Sequence, residues 1–293
     1  QYARPILVGR MRMLGAIAIA FLLFSCRGEN TADPVAEKNV STAAKGKLFI
    51  IGGGSRPMEM MEELVRISMS DEGYALVMAQ SSIEPDTSFF YVNEQLVEFT
   101  DRPIIHLDSA RAENFPIDSI VNADLIYLTG GNQNRFLEKV SDEMQEAIKR
   151  AYREGATIAG TSAGAALMSK VMITGDQKKE PEYESTYSRL VYGNSITTEG
   201  LGLLDSVVVD QHFVARSRYN RILSVMADLD YPMGAGIEES TALVVFPEGA
   251  TVVGEGQVMV FKRPPKYTKN KERIGFKDMN LNAYLEGDTF NLK

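Results

Sequence analysis

The sequence predicts an α/β protein: a three-layer arrangement with a mostly parallel sheet, helices on both faces, and antiparallel closing strands near the C-terminus. Three features predict it. From Lys47 onward, short apolar and β-branched runs alternate with longer amphipathic stretches, the rhythm of strand–helix units. Several of these runs end in small-residue turns, Gly52-Gly53-Gly54-Ser55, Gly130-Gly131-Asn132-Gln133 and Gly160-Thr161-Ser162-Ala163-Gly164. In parallel sheets, ligands gather beyond the carboxyl ends of the strands, so the three turns are expected to line one crevice. Finally, the third turn is a Gly-x-Ser-x-Gly between an apolar run and an alanine-rich one, the pattern of a nucleophile elbow.

The chain divides in order. The expected start is Met11 or Met13, followed by an apolar run at 14–24 behind Arg10 and Arg12. That run is too short to span a bilayer comfortably and reads as a secretory signal over 1–26. Its end, Leu23-Phe24-Ser25-Cys26, resembles the lipobox of bacterial lipoproteins, so Cys26 is the expected lipidation site and the protein is expected to be exported and membrane-anchored. Residues 27–46 are polar and aperiodic, a flexible tether. A catalytic α/β domain is expected over 47–263 and a C-terminal tail over 264–293.

Within the domain, strands are expected at 48–51, 74–79, 103–107, 124–129, 156–159 and 207–213. Pro57 suits the first turn of a helix running to about Met69. A second helix is expected over about 88–99. Leu137, Val140, Met144, Ile148 and Ala151 recur at three- and four-residue steps, predicting one continuous helix. The alanine-rich run after Ser162 predicts a helix reaching Lys170. Residues 171–205 look like an irregular excursion over the site. A helix carrying Arg216, Arg218 and Arg221 ends near Asp228, and 235–246 and 251–262 supply the closing strands.

Composition excludes several functions. The net charge is −8 with no basic block, which argues against nucleic acid and anionic membrane surfaces as partners. The only membrane contact expected is through the N-terminal lipid. One cysteine rules out an internal disulfide. Pro57 stands where a Gly-x-Gly-x-x-Gly fingerprint needs glycine, so no dinucleotide cofactor is expected.

An elbow serine needs a base, and only His106 and His212 exist. His212 is preferred because it ends a strand beyond the elbow, among polar neighbours Asp210 and Gln211. Strand alternation would place Asp210 on the same side as His212, where it could orient the ring. An acid must complete a triad. Glu238 and Glu239 lie at another strand end, with Asp210 and Glu180 as alternatives, and the residues alone leave the choice open. An arginine of the 216–221 group could grip a substrate carboxylate.

These motifs, Ile50-Ile51-Gly52-Gly53-Gly54, Leu128-Thr129-Gly130-Gly131-Asn132-Gln133, Gly160-Thr161-Ser162-Ala163-Gly164-Ala165, Asp210-Gln211-His212-Phe213 with the three arginines, and Gly236-Ile237-Glu238-Glu239-Ser240-Thr241-Ala242, occur in one order across 47–262. In that order the chain resembles the cyanophycinase and peptidase E family of serine exopeptidases. The resemblance implies a fold like class I glutamine amidotransferases, with serine in place of their cysteine. It implies Ser162 as nucleophile, His212 as base and Glu239 as acid, with Glu180 the alternative. It further implies an oxyanion hole from the N–H groups of Gly54 and Ala163, substrate contacts from Gln133, Gln211 and Arg221, and no metal or cofactor. The implied substrate is an aspartyl, β-linked peptide or a cyanophycin-like polymer, and a homodimer is the assembly kept open. Glu238 departs from the family's aspartate. Export suits scavenged material better than an internal polymer. A non-catalytic peptide-binding lipoprotein on the same fold, or an esterase, are the competing expectations.

Overall fold

A computed structural model describes residues 46–108, 115–180, 182 and 184–292. The expected signal segment, the expected lipidation site Cys26 and the expected tether up to residue 45 lie outside the described residues.

Strands β1 (Lys47–Ile51), β2 (Ala75–Met78), β3 (Ile104–Leu107), β4 (Leu125–Leu128) and β5 (Thr157–Thr161) run parallel in the order β1-β5-β4-β2-β3. Their sequences are near-continuous apolar runs because both faces are buried. Along β1, Leu48 and Ile50 enter one core while Phe49 and Ile51 enter the other. Helices α1 (Met58–Ser68) and α2 (Pro85–Leu96) cover the Phe49 face with Met60, Leu64, Val92 and Leu96. On the Leu48 face lie α3 (Asp118–Val121), α4 (Gln133–Lys139) and α5 (Asp142–Glu154). The expected antiparallel closure is present: β10 (Thr241–Phe246) pairs with β1, and β11 (Gly249–Gly254) with β10.

A second sheet shares the outer layer on the Leu48 face. Its strands β8 (Val207–Asp210) and β9 (Met233–Ile237) are parallel, and β12 (Val258–Lys262) and β15 (Asn280–Tyr284) extend it antiparallel. Val207, Val209, Ala235 and Val260 point into the same core as Leu48. On its far side α7 (Tyr219–Leu229) packs Ile222 and Met226 against Phe213 and Phe261.

The structure corrects four readings. The single helix through 137–151 is two, because Val140 is extended (φ −103°, ψ 118°) and the Ser141 side chain caps α5 by accepting from Met144 N at 3.3 Å. The apolar spacing crosses this break because both helices face one core. The helix after Ser162, α6, stops at Ala166 (Ala163–Ala166). The carbonyls of Leu167 and Met168 accept from Leu201, Leu203 and Leu204 N at 2.7–2.9 Å, so they cannot serve further helical turns. The excursion at 171–205 contains a hairpin, β6 (Val171–Gln177) with β7 (Ser195–Glu199). The expected tail is folded: β13 (Tyr267–Asn270) pairs with β14 (Arg273–Phe276), β15 edges the second sheet, and β16 (Thr289–Phe290) lies on β11. The domain thus reaches residue 292. These are edge and hairpin strands with polar faces, so they carry no continuous apolar signal.

Candidate active site

The chain leaves β5 at Thr161 and turns at Ser162 with φ 52° and ψ −106°. Such a backbone costs a non-glycine residue about 1–3 kcal/mol and persists only where the surroundings enforce it. Gly160 and Gly164 leave the room: a Cβ on Gly160 would lie 2.6 Å from the Gly164 carbonyl carbon, and one on Gly164 2.2 Å from Leu128 O.

The enforcement comes from the end of β1. Three consecutive carbonyls there each take one N–H from a different segment. Ile51 O accepts from Ser162 N at 3.1 Å, Gly52 O from His212 N at 2.7 Å, and Gly53 O from Ser240 N at 2.9 Å. All three donors have positive φ, 52°, 49° and 57°. One turn therefore fastens three strained residues and brings their side chains, or that of the adjacent Glu239, to one point.

The result is a hydrogen-bonded chain. Ser162 Oγ lies 2.8 Å from His212 Nε2, and His212 Nδ1 lies 2.5 Å from Glu239 Oε1. With the ring neutral, Nδ1–H donates to the carboxylate and Nε2 accepts the serine hydroxyl, the arrangement general-base activation requires. Gly53, at φ 104°, is the floor on which the ring rests, since a Cβ there would sit 2.3 Å from His212 Cε1. Its neighbour Gly54 faces Glu239 in the same way, at 2.8 Å from that residue's Cβ. Burial pushes the His212 pKa below its ordinary 6.5, and Arg216 and Arg218 push the same way against the pull of Glu239. The ring is thus kept unprotonated, as a base must be.

A cleft of about 280 Å³ opens over Ser162 and His212. Gly54, Thr129 and Gly130 line it, so all three expected turns reach one crevice. Ala163 follows Ser162 directly and is buried. Other expected site residues are engaged elsewhere. Gln133 Nε2 donates to Ile173 O and Thr174 O at 2.8 and 2.9 Å, tying α4 to β6 instead of lining the cleft. Arg221 is buried against Asp210, donating from Nε to Oδ2 at 2.8 Å and from Nη2 to Oδ1. Gln211 Oε1 accepts from Arg221 Nη2 at 3.2 Å and from Arg218 Nη1. Asp210 therefore does not orient His212. The alternation expected through residue 213 fails because β8 ends at Asp210 and the chain turns at His212. Glu180 accepts from Arg189 Nη2 at 2.8 Å and has no bond to the imidazole. His106 stacks on Phe89 with ring centroids 4.4 Å apart and stands 3.5 Å from Asp86, away from the elbow. Glu238 accepts from Gln257 N, a turn contact.

Sequence reasoning missed the opposite wall of the cleft, where Arg56, Ser88, Tyr91 and Val92 stand. Arg56, two residues beyond the Gly54 turn, was the readable signal there. The α2 residues carried none, because Phe90 and Tyr91 resemble any exposed helix surface.

The family model for peptidase family S51 matches residues 75–253, which hold the elbow, the histidine and the acid. The chain belongs to peptidase family S51. It is similar to a cyanophycinase of Trichormus variabilis, 29% identical over 273 residues that cover 87% of this chain and 89% of the relative. A cyanophycinase of Geminocystis herdmanii is 30% identical over 178 residues, 57% of this chain and 62% of that one. Among solved structures, a peptidase from an acI-B1 actinobacterium superposes with a TM-score of 0.62 at 18% identity, covering 86% of this chain and 98% of its own, a likeness of fold. The S51 protein is a serine-type peptidase acting on peptide bonds, on the expected mostly parallel α/β fold. That sets aside the esterase and the non-catalytic module.

Proposed function

We propose that this S51 peptidase hydrolyses aspartyl, β-linked peptide bonds through an acyl-enzyme on Ser162. The single observation that carries the proposal is the Ser162–His212–Glu239 hydrogen-bonded chain at the mouth of the cleft. The relatives named cyanophycinase support the substrate class. In this reading His212 Nε2 takes the Ser162 proton as Oγ attacks the scissile carbonyl, and Glu239 stabilises the imidazolium that forms. The N–H groups of Gly54 and Ala163 are the donors to the oxyanion. His212 then returns the proton to the leaving amine, and water, deprotonated by the same ring, cleaves the ester and frees the serine. Gln133, Gln211 and Arg221 act in this scheme by holding the wall rather than touching the substrate. Export and anchoring through a lipid on Cys26 belong to the same proposal, and incorporation of labelled palmitate that disappears in Cys26→Ala tests that part.

The experiment for the chemistry pairs two readouts. Wild type is expected to react with a fluorophosphonate serine probe and to release the amino acid from β-aspartyl dipeptides, while Ser162→Ala does neither. Retained turnover in Ser162→Ala, or turnover by wild type of α-linked peptides alone, contradicts the proposal.

A further inference from the structure

Arg56 occupies a position unlike those of the buried arginines. It lies in the loop between β1 and α1 and lines the same cleft as Ser162 and His212. Its side chain is held in place from α2: Arg56 Nε donates to Gln95 Oε1 at 2.5 Å, and Gln95 Nε2 donates back to Arg56 O at 3.1 Å. Among the described residues Arg56 makes no ion pair, whereas Arg218 and Arg221 are committed to Asp210. Its charge reaches the buried Tyr127 hydroxyl, where it opposes the upward push of burial. Tyr91 and Ser88 stand beside it on the same wall. A guanidinium fixed at Nε retains terminal N–H groups for a planar anion, and little side-chain freedom remains to be lost on binding.

We propose that Arg56, preset by Gln95, is a specificity-determining residue that reads a carboxylate of the substrate beside the scissile bond. Two carboxylates could supply this chemistry: one carried by the aspartyl part or chain terminus of every substrate, or a side-chain carboxylate of the residue that leaves. The inference rests on the reading of Ser162 as the nucleophile of an aspartyl peptidase, and its test separates the two.

The test compares wild type, Arg56→Gln and Arg56→Lys on β-aspartyl-glutamate and β-aspartyl-leucine, with melting temperatures as a check on folding. A charge-assisted bidentate contact predicts that Arg56→Gln lowers kcat/KM by about 10- to 100-fold, mainly through KM, and that Arg56→Lys recovers part of the loss. Loss confined to the glutamate substrate assigns the carboxylate to the leaving residue, and equal loss on both assigns it to a carboxylate the substrates share. A change below about twofold on both overturns the proposal, being within the range of a surface contact. In parallel, succinate is expected to protect Ser162 from the fluorophosphonate probe, at a concentration that rises about tenfold in Arg56→Gln. If wild type cleaves neither peptide but the probe still labels it, the aspartyl reading fails. The protection assay then still decides on Arg56, and equal protection in both proteins refutes it.

Discussion

Two neighbouring parts of one motif behave in opposite ways. At Asp210-Gln211 the chain is still at the end of a buried strand, and its polar groups meet Arg218 and Arg221 in a network from which water is shut out. One residue later, at His212, φ is 49° and the imidazole stands over the cleft between Ser162 and Glu239. The first region is satisfied and unstrained; the second is strained and held by backbone carbonyls from β1. Adjacent residue types that suggest a single site thus divide into a support and a reacting surface. What divides them is where the strand stops.

Substitutions sharpen this contrast, and the largest effect is expected in the reacting group. Ser162→Ala or His212→Ala should lower kcat by about 10⁴-fold or more, with a melting temperature close to wild type. Glu239→Gln keeps an acceptor for Nδ1–H but removes the charge, and a loss of about 10³- to 10⁴-fold in kcat is expected with folding intact. The support should respond in reverse. Arg221→Leu leaves the Asp210 carboxylate buried without its principal partner, and denaturant unfolding should show a destabilisation of about 3–5 kcal/mol. A loss of activity in this variant without loss of stability would instead make Arg221 part of the reacting surface.

The smallest expected effect is in pH dependence. Burial, then Arg216 and Arg218, hold the His212 pKa below 6.5. The neutral ring is the active form, so kcat/KM should persist as pH falls below 6.5 and be lost only as His212 takes up its proton. Glu239 pulls the pKa upward, so in Glu239→Gln the acid limb should move to lower pH still. A limb at or above 6.5 in wild type contradicts the assignment of a depressed base.

Much of this was legible because backbone constraints leave marks in sequence. The five parallel strands appear as uninterrupted apolar runs, and the elbow appears as glycines two residues either side of Ser162. Glu239 was recoverable only through family resemblance, because the bond to His212 Nδ1 joins positions 27 residues apart and adjacent Glu238 has the same chemistry. The fates of Gln133, Gln211 and Arg221 were not legible. Residue type fixes what a side chain can bond to, not whether a carbonyl of β6 or the carboxylate of Asp210 reaches it first. The C-terminal strands escaped for a related reason, since a strand such as β13, mostly polar and paired only with β14, differs from a loop mainly by its partner.

The central claim is that the turn after β1 assembles the site, with Gly53 as the floor for the imidazole. The most direct test is the rate at which a fluorophosphonate modifies Ser162 in Gly53→Ala. The added methyl meets the His212 ring at 2.3 Å and is disfavoured at φ 104°, so the ring must shift from Ser162 Oγ. The account predicts a fall of about 100-fold or more, as displacement of a reacting group by about 1 Å can cause. Modification of Gly53→Ala at the wild-type rate would contradict it.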